Sequence, residues 1–174
     1  MAIDWNAIAQ QVGDNYDTSA GRRALEIIVG EGNVRDAVDY WISQERGCFA
    51  AESVLSVMRP KVAMDRCYEI YKAKPDSEDA IRAVFLLASF ADDAALSWVR
   101  QFLDDRNRGI RRNGLAVLRT ILCGPLGDAA IASAMQLLDQ AERDSDADLR
   151  ERAQLIRSEF KSQYPYIKLP ATDE

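Results

Sequence analysis

A helical motif recurs five times along this chain, and nothing else in the sequence restricts its folding so tightly. The fullest copy is Ile110-Arg111-Arg112-Asn113-Gly114-Leu115-Ala116-Val117-Leu118. It consists of an apolar residue, an arginine, a small residue three places on, and a close apolar pair. Windows of the same kind begin at Ala20, Phe49, Ile81 and Leu149, so successive starts lie 29, 32, 29 and 39 residues apart. Such a period suits one helical hairpin per repeat, each with an apolar stripe that only a neighbouring repeat can cover.

The periodicity predicts ten helices in five antiparallel pairs, an outer helix followed by an inner one. The pairs are expected at 3–13 and 18–29, 33–46 and 47–58, 62–73 and 77–90, 93–103 and 107–122, and 128–142 and 146–161. Punctuation supports these limits. Asp17, Thr18 and Ser19 offer N-cap oxygens, Gly30 stands where a left-handed residue ends a helix, and Asp76 or Ser77 caps the third inner helix. Pro60 cannot continue a helix and disfavours helical dihedrals at Arg59. A repeat domain over 1–162 is followed by a tail, 163–174, expected to be extended or disordered.

The fourth residue after each start is Ala24, Ser53, Phe85, Gly114 or Ala153. Four of these are small, as a close helix crossing requires. With the apolar-Arg step of Arg82, Arg111 and Arg150, this pattern resembles short HEAT-like repeats over nearly all of residues 3–161. The first two repeats depart from it, with Gly21 and Ala50 at the arginine position. The resemblance implies an all-α, right-handed α-solenoid of about five antiparallel pairs, in which those arginines bind acids of the turns, such as Asp105 or Asp146. Families with such repeats are functionally mixed, and include phycobilin lyase subunits and alkylpurine DNA glycosylases.

Composition narrows the function. The chain has no histidine, which removes imidazole-activated nucleophiles, His-containing zinc sites and imidazole proton shuttles. Cys48, Cys67 and Cys123 are scattered without a C-x-x-C pair and are expected to be reduced, buried thiols. A net charge of −6 disfavours broad attraction to nucleic acid or anionic membrane. The longest largely apolar stretch, Ala83–Phe90, is too short to span a bilayer, and the N-terminus reads as cytoplasmic rather than secretory. No cofactor is implied.

If the motif sets one register throughout, residues two, three, six and nine after each start point away from the outer helices. Those positions hold Arg22 and Arg23 in the first repeat, Leu55 in the second, Val84 and Leu87 in the third, and Arg112, Asn113 and Arg119 in the fourth. The concave face is thus expected to be apolar in the middle and basic at its flanks. Either solenoid curvature or the tail covers the third inner helix, or that helix lines a groove. On the groove reading, the chain is a non-catalytic protein-binding module, an adaptor or an inhibitor. In its sharpest form it is a bacterial immunity protein neutralising a cationic toxin, whose partner is basic or carries an apolar anchor.

Other features read as structural. Six arginines between Arg100 and Arg119 are expected on a solvated surface balanced by Asp92, Asp93, Asp104 and Asp105. Asp144-Ser145-Asp146-Ala147-Asp148 begins like a calcium loop but lacks the required glycine and glutamate, so helix capping explains it. Gly30-Glu31-Gly32 reads as a turn. Trp5, Trp41 and Trp98 fall on outer helices and are expected to pack between them.

Overall fold

The computed structural model describes Asp4, Ile8, Gln10 and residues 18–164, and no strand occurs among them. Nine α-helices follow in order: α1 (Thr18–Val29), α2 (Glu31–Ile42), α3 (Cys48–Met58), α4 (Lys61–Ala73), α5 (Glu78–Leu87), α6 (Leu96–Leu103), α7 (Arg108–Leu122), α8 (Asp128–Ala141) and α9 (Ala147–Gln163). A short 3₁₀ turn, Asp93–Ala95, leads into α6. The predicted helix at 3–13 and the tail beyond Tyr164 lie outside the described residues, apart from Asp4, Ile8 and Gln10. Within the remaining span the boundaries fall close to those read from punctuation.

The caps explain that agreement. Ser77 Oγ accepts the Ala80 amide at 3.1 Å, Asn107 Oδ1 accepts Gly109 at 2.8 Å and Asp146 Oδ1 accepts Asp148 at 3.0 Å. Each supplies an oxygen to an amide that has no partner within its own helix. Gly30 adopts φ 86°, and α2 then starts at once, so Glu31 and Gly32 belong to the helix and not to a turn. Arg59, before Pro60, sits in the left-handed region at φ 47°. Its guanidinium donates to the carbonyls of Phe90 and Ala91, which offsets the cost of that backbone. The third inner helix ends earlier than expected, at Leu87, in a tight turn through Phe90.

Consecutive helices pair as hairpins: α2 with α3, α4 with α5, α6 with α7, and α8 with α9. One row is built by α2 on α4 and α6 on α8, with α4 joined to α6 by the stacked rings of Tyr68 and Trp98, 4.6 Å apart. The other row contains α1 on α3, α5 on α7 and α7 on α9. A single apolar core runs from Val34 to Phe160. Polar links between repeats keep the same rhythm. Tyr71 donates to Asp105, Asn113 to the Ile81 carbonyl, Thr120 to the Ala88 carbonyl and Gln140 to Asp104, across separations of 34, 32, 32 and 36 residues.

Two substructures show how the sequence motif works. A methyl group built on Gly114 would lie 2.7 Å from Phe102 Cβ, so α6 and α7 meet at a distance only glycine allows. Arg111 donates to the carbonyls of Asp105 and Arg106 at 3.0 and 3.1 Å, and Arg150 repeats this with Asp144 and Ser145 at 2.7 and 2.9 Å. Each tethers the turn before its own helix. Arg111 Nε also lies 2.9 Å from Asp144 Oδ2, in the next repeat. Arg82 does neither, and donates instead to the Ile42 carbonyl of α2.

Candidate partner-binding face

The register inferred from the motif holds in α7 and α9 but is wrong by two residues in α5. Past the first turn of each helix, the buried positions in α7 are Gly114, Leu115, Val117, Leu118, Ile121 and Leu122. In α5 and its terminal turn they are Ala83, Val84, Leu86, Leu87, Phe90 and Ala91. The two sets superpose at an offset of 31 residues rather than the 29 given by Ile81 and Ile110. Two residues turn a helix by roughly 200°. Val84 and Leu87, expected on the open face, are therefore core residues, each 0% exposed, and Leu55 on α3, also expected there, is buried at 1%.

The same rotation brings Phe85 out, beside exposed apolar residues on two other helices. Phe49 on α3, Phe85 on α5 and Leu155 on α9 are 70%, 51% and 58% exposed. All three border one open groove of about 690 Å³ across α3, α5, α7 and α9, with Trp41 and Gln44 from the end of α2 at its rim. Phe85 stacks on the Trp41 ring at 5.9 Å. Trp41 is held in turn by its indole N–H, which donates to Glu52 Oε2 at 3.0 Å, while Ser89 donates to Glu52 Oε1 at 2.8 Å. One carboxylate thus joins α2, α3 and the end of α5 and sets the groove wall. Trp41 packs toward the inner row, unlike Trp98, which packs between outer helices as expected; Trp5 lies outside the described residues.

Of the eight residues chosen from the sequence, Arg112, Asn113 and Arg119 line this groove. Arg119 makes a bidentate pair with Glu159 at 2.9 and 3.1 Å, and Asn113 serves the α5 backbone. Arg112 is exposed and makes no hydrogen bond or ion pair among the described residues. Arg22 and Arg23 sit on α1, away from the groove lining. Arg23 instead holds Glu26 at 2.9 Å. Glu26, assigned by the motif register to the open face, is 3% exposed and accepts the Val62 amide at 3.2 Å. It caps α4, whose own N-cap, Pro60, offers no side-chain oxygen.

Sequence reasoning missed Phe49, Ile81, Arg82, Phe85, Arg152 and Leu155. For Ile81, Arg82 and Phe85 the missed sign is the apolar pattern from Ala83 to Ala91, which matches that from Gly114 to Leu122 better than the Ile-Arg step matches Ile81-Arg82. Arg152 and Leu155 stand three and six residues after Leu149, where the motif register itself puts the open face. The arginine-rich stretch is also balanced differently. Its acids come from the following repeat: Arg108 pairs with Asp146 and Asp148, Arg111 with Asp144, and Arg119 with Glu159. Asp92 instead caps the 3₁₀ turn, and Asp104 and Asp105 bind Gln140 and Tyr71.

Elsewhere, burial pushes the Cys67 thiol up from its ordinary value, and the Tyr71 hydroxyl rises through burial and its bond to Asp105. Cys123, expected to be buried, is exposed because it follows α7 at the turn to α8. Among the described residues no helix is long and apolar enough to cross a membrane. No protein-family model, curated protein or solved structure matches the chain.

Proposed function

We propose that this chain is a non-catalytic protein-binding module, an adaptor or an inhibitor, and that its partner docks on the groove across α3, α5, α7 and α9. In this reading the hairpins stack as a right-handed α-solenoid of HEAT-like repeats, and the groove is its concave face. The observation that carries it is the convergence of Phe49, Phe85 and Leu155, three large exposed apolar side chains, on one open groove. Clustered apolar surface of this kind is costly to leave in water and is characteristic of binding sites. The missing histidine and the structural occupation of Arg111, Arg150 and Asp146 favour binding over catalysis. A toxin-neutralising role draws support from the small size of the chain.

Affinity capture from the native host tests this with three single variants. Phe85→Asp and Leu155→Asp should each lose the partner by about 2 kcal/mol or more, the scale of an interface hot spot. Val57→Asp, 78% exposed and outside the groove, should retain it. Retention by both groove variants would place the docking surface elsewhere.

A further inference from the structure

The charge of the groove runs against the charge of the chain. Four arginines line it, Arg82, Arg112, Arg119 and Arg152, against one carboxylate, Glu159, although the whole sequence carries −6. Arg119 is held by its bidentate bond to Glu159, and Arg82 by its bond to the Ile42 carbonyl. Arg152 pairs with Asp148 one turn back on its own helix, and Arg82 lies 3.8 Å from Asp79 on its own. Exposed pairs of this kind are weak and exchange readily for a better carboxylate. Among the described residues, Arg112 has no partner to give up.

Resting on the groove as a protein-docking surface, we propose that its occupant is an acidic amphipathic helix. Its apolar stripe sits on Phe85 and Leu155, and its carboxylates meet Arg112, Arg82 and Arg152. Three arguments lead there. An occupant covering Phe85 and Leu155 strips water from the neighbouring guanidiniums, which is costly unless anions replace it. The groove walls are helices whose backbone groups are bonded internally, so there is no strand edge on which an extended segment could pair. A helix brings its own backbone bonds already made. A nucleic acid would satisfy the arginines, but the exposed apolar side chains and the acidic remainder of the chain oppose a polyanion.

The test uses the full chain and three fluorescent probes. The first is a lactam-stapled peptide of about 18 residues, five turns, with Leu along one face and Glu on both flanks. The second replaces each Glu by Lys, and the third is a single-stranded oligonucleotide of about 20 nucleotides. The Glu peptide is expected to bind saturably and to outcompete the Lys peptide by about tenfold or more, with affinity falling as salt is raised. Arg112→Glu should weaken the Glu peptide by about tenfold and reverse the preference toward Lys. Phe85→Asp should weaken both peptides, and Leu155→Asp repeats that test at a site independent of the Trp41 stack. Circular dichroism checks that each variant folds.

Equal or tighter binding of the Lys peptide, still lost in Phe85→Asp, overturns the acidic occupant while leaving the docking groove standing. Peptide binding that ignores both Phe85→Asp and Leu155→Asp, or no saturable binding, overturns both. Displacement of the Glu peptide by the oligonucleotide assigns the groove to nucleic acid and overturns the proposal.

Discussion

Replacing Gly114 by alanine tests the closest approach in the fold, because its sign is opposite to that expected for an ordinary helical glycine. In a helix interior exposed to water, Gly→Ala stabilises by about 1 kcal/mol, since alanine loses less backbone freedom on folding. Gly21 in α1 meets that description: a methyl there would have nothing within 4 Å. At Gly114 the added carbon would stand 2.7 Å from Phe102 Cβ and 3.6 Å from the Phe102 carbonyl carbon. Carbon atoms prefer separations of about 3.5–4.0 Å, so α6 and α7 must part by roughly 1 Å. Phe102 Cβ cannot swing aside as a side-chain terminus would. Phe102 also packs edge-on against Tyr71, at 4.9 Å, so the displacement reaches α4. Overpacking costs about 1–3 kcal/mol, and against a Cβ that cannot move aside the upper part of that range, about 2–3 kcal/mol, outweighs the propensity gain.

Gly114→Ala is therefore expected to be destabilising by about 1–2 kcal/mol, and Gly114→Leu by more, while Gly21→Ala stabilises by about 1 kcal/mol. For a chain of this size, 1 kcal/mol moves Tm by about 2–4 °C. Urea titration followed by circular dichroism should show lowered midpoints with unchanged slopes for the Gly114 variants. A Gly114→Ala protein as stable as wild type, or more stable, would refute the close crossing and with it the register of α7 against α6.

Other substitutions probe separate parts of the fold. Arg111→Ala removes donors from two turn carbonyls and the cation beside Asp144, and its urea midpoint should fall by about 1–3 kcal/mol of stability. Ser77→Ala removes the cap of α5 and should cost about 1 kcal/mol in the same titration. Thiol titration of the native protein should label Cys123 rapidly and leave buried Cys48 and Cys67 unreactive, and Cys123→Ser should abolish the fast phase.

Acid sensitivity has a defined direction. Hydrogen bonding to Arg35 holds Glu69 below its ordinary 4.5, and hydrogen bonding to Arg108 holds Asp146 below 3.8. Both release protons more readily in the folded state. Their stabilisation is complete above those ordinary values and is lost as pH falls through the lower folded ones. Stability measured from about pH 6 to about pH 2 should decline, and Arg35→Gln and Arg108→Gln should each flatten that decline.

Helix limits were legible in the sequence because they depend on local chemistry. Ser77, Asn107 and Asp146 cap the helices they precede, and Pro60 separates α3 from α4, through atoms only a few residues apart. The all-helical class followed from apolar periodicity in the same way. Gly114 and the Arg111–Arg150 equivalence were also readable, because α7 and α9 alternate polar and apolar faces clearly enough to reveal their phase.

The phase of α5 was hidden, because Ile81, Ala83, Val84, Phe85, Leu86 and Leu87 leave almost no polar face to mark solvent. Only contact with α4 and α7 decided that Val84 and Leu87 enter the core and Phe85 turns out into the groove. Glu26 shows the same dependence on tertiary structure, since its value lies in capping a helix 36 residues away. So do the ion pairs of Arg108 and Arg119, which reach across 38 and 40 residues. Local spacing records which residues share a helix face, whereas which face meets which neighbour is settled by packing between helices, where a rotation of two residues exchanges core for surface.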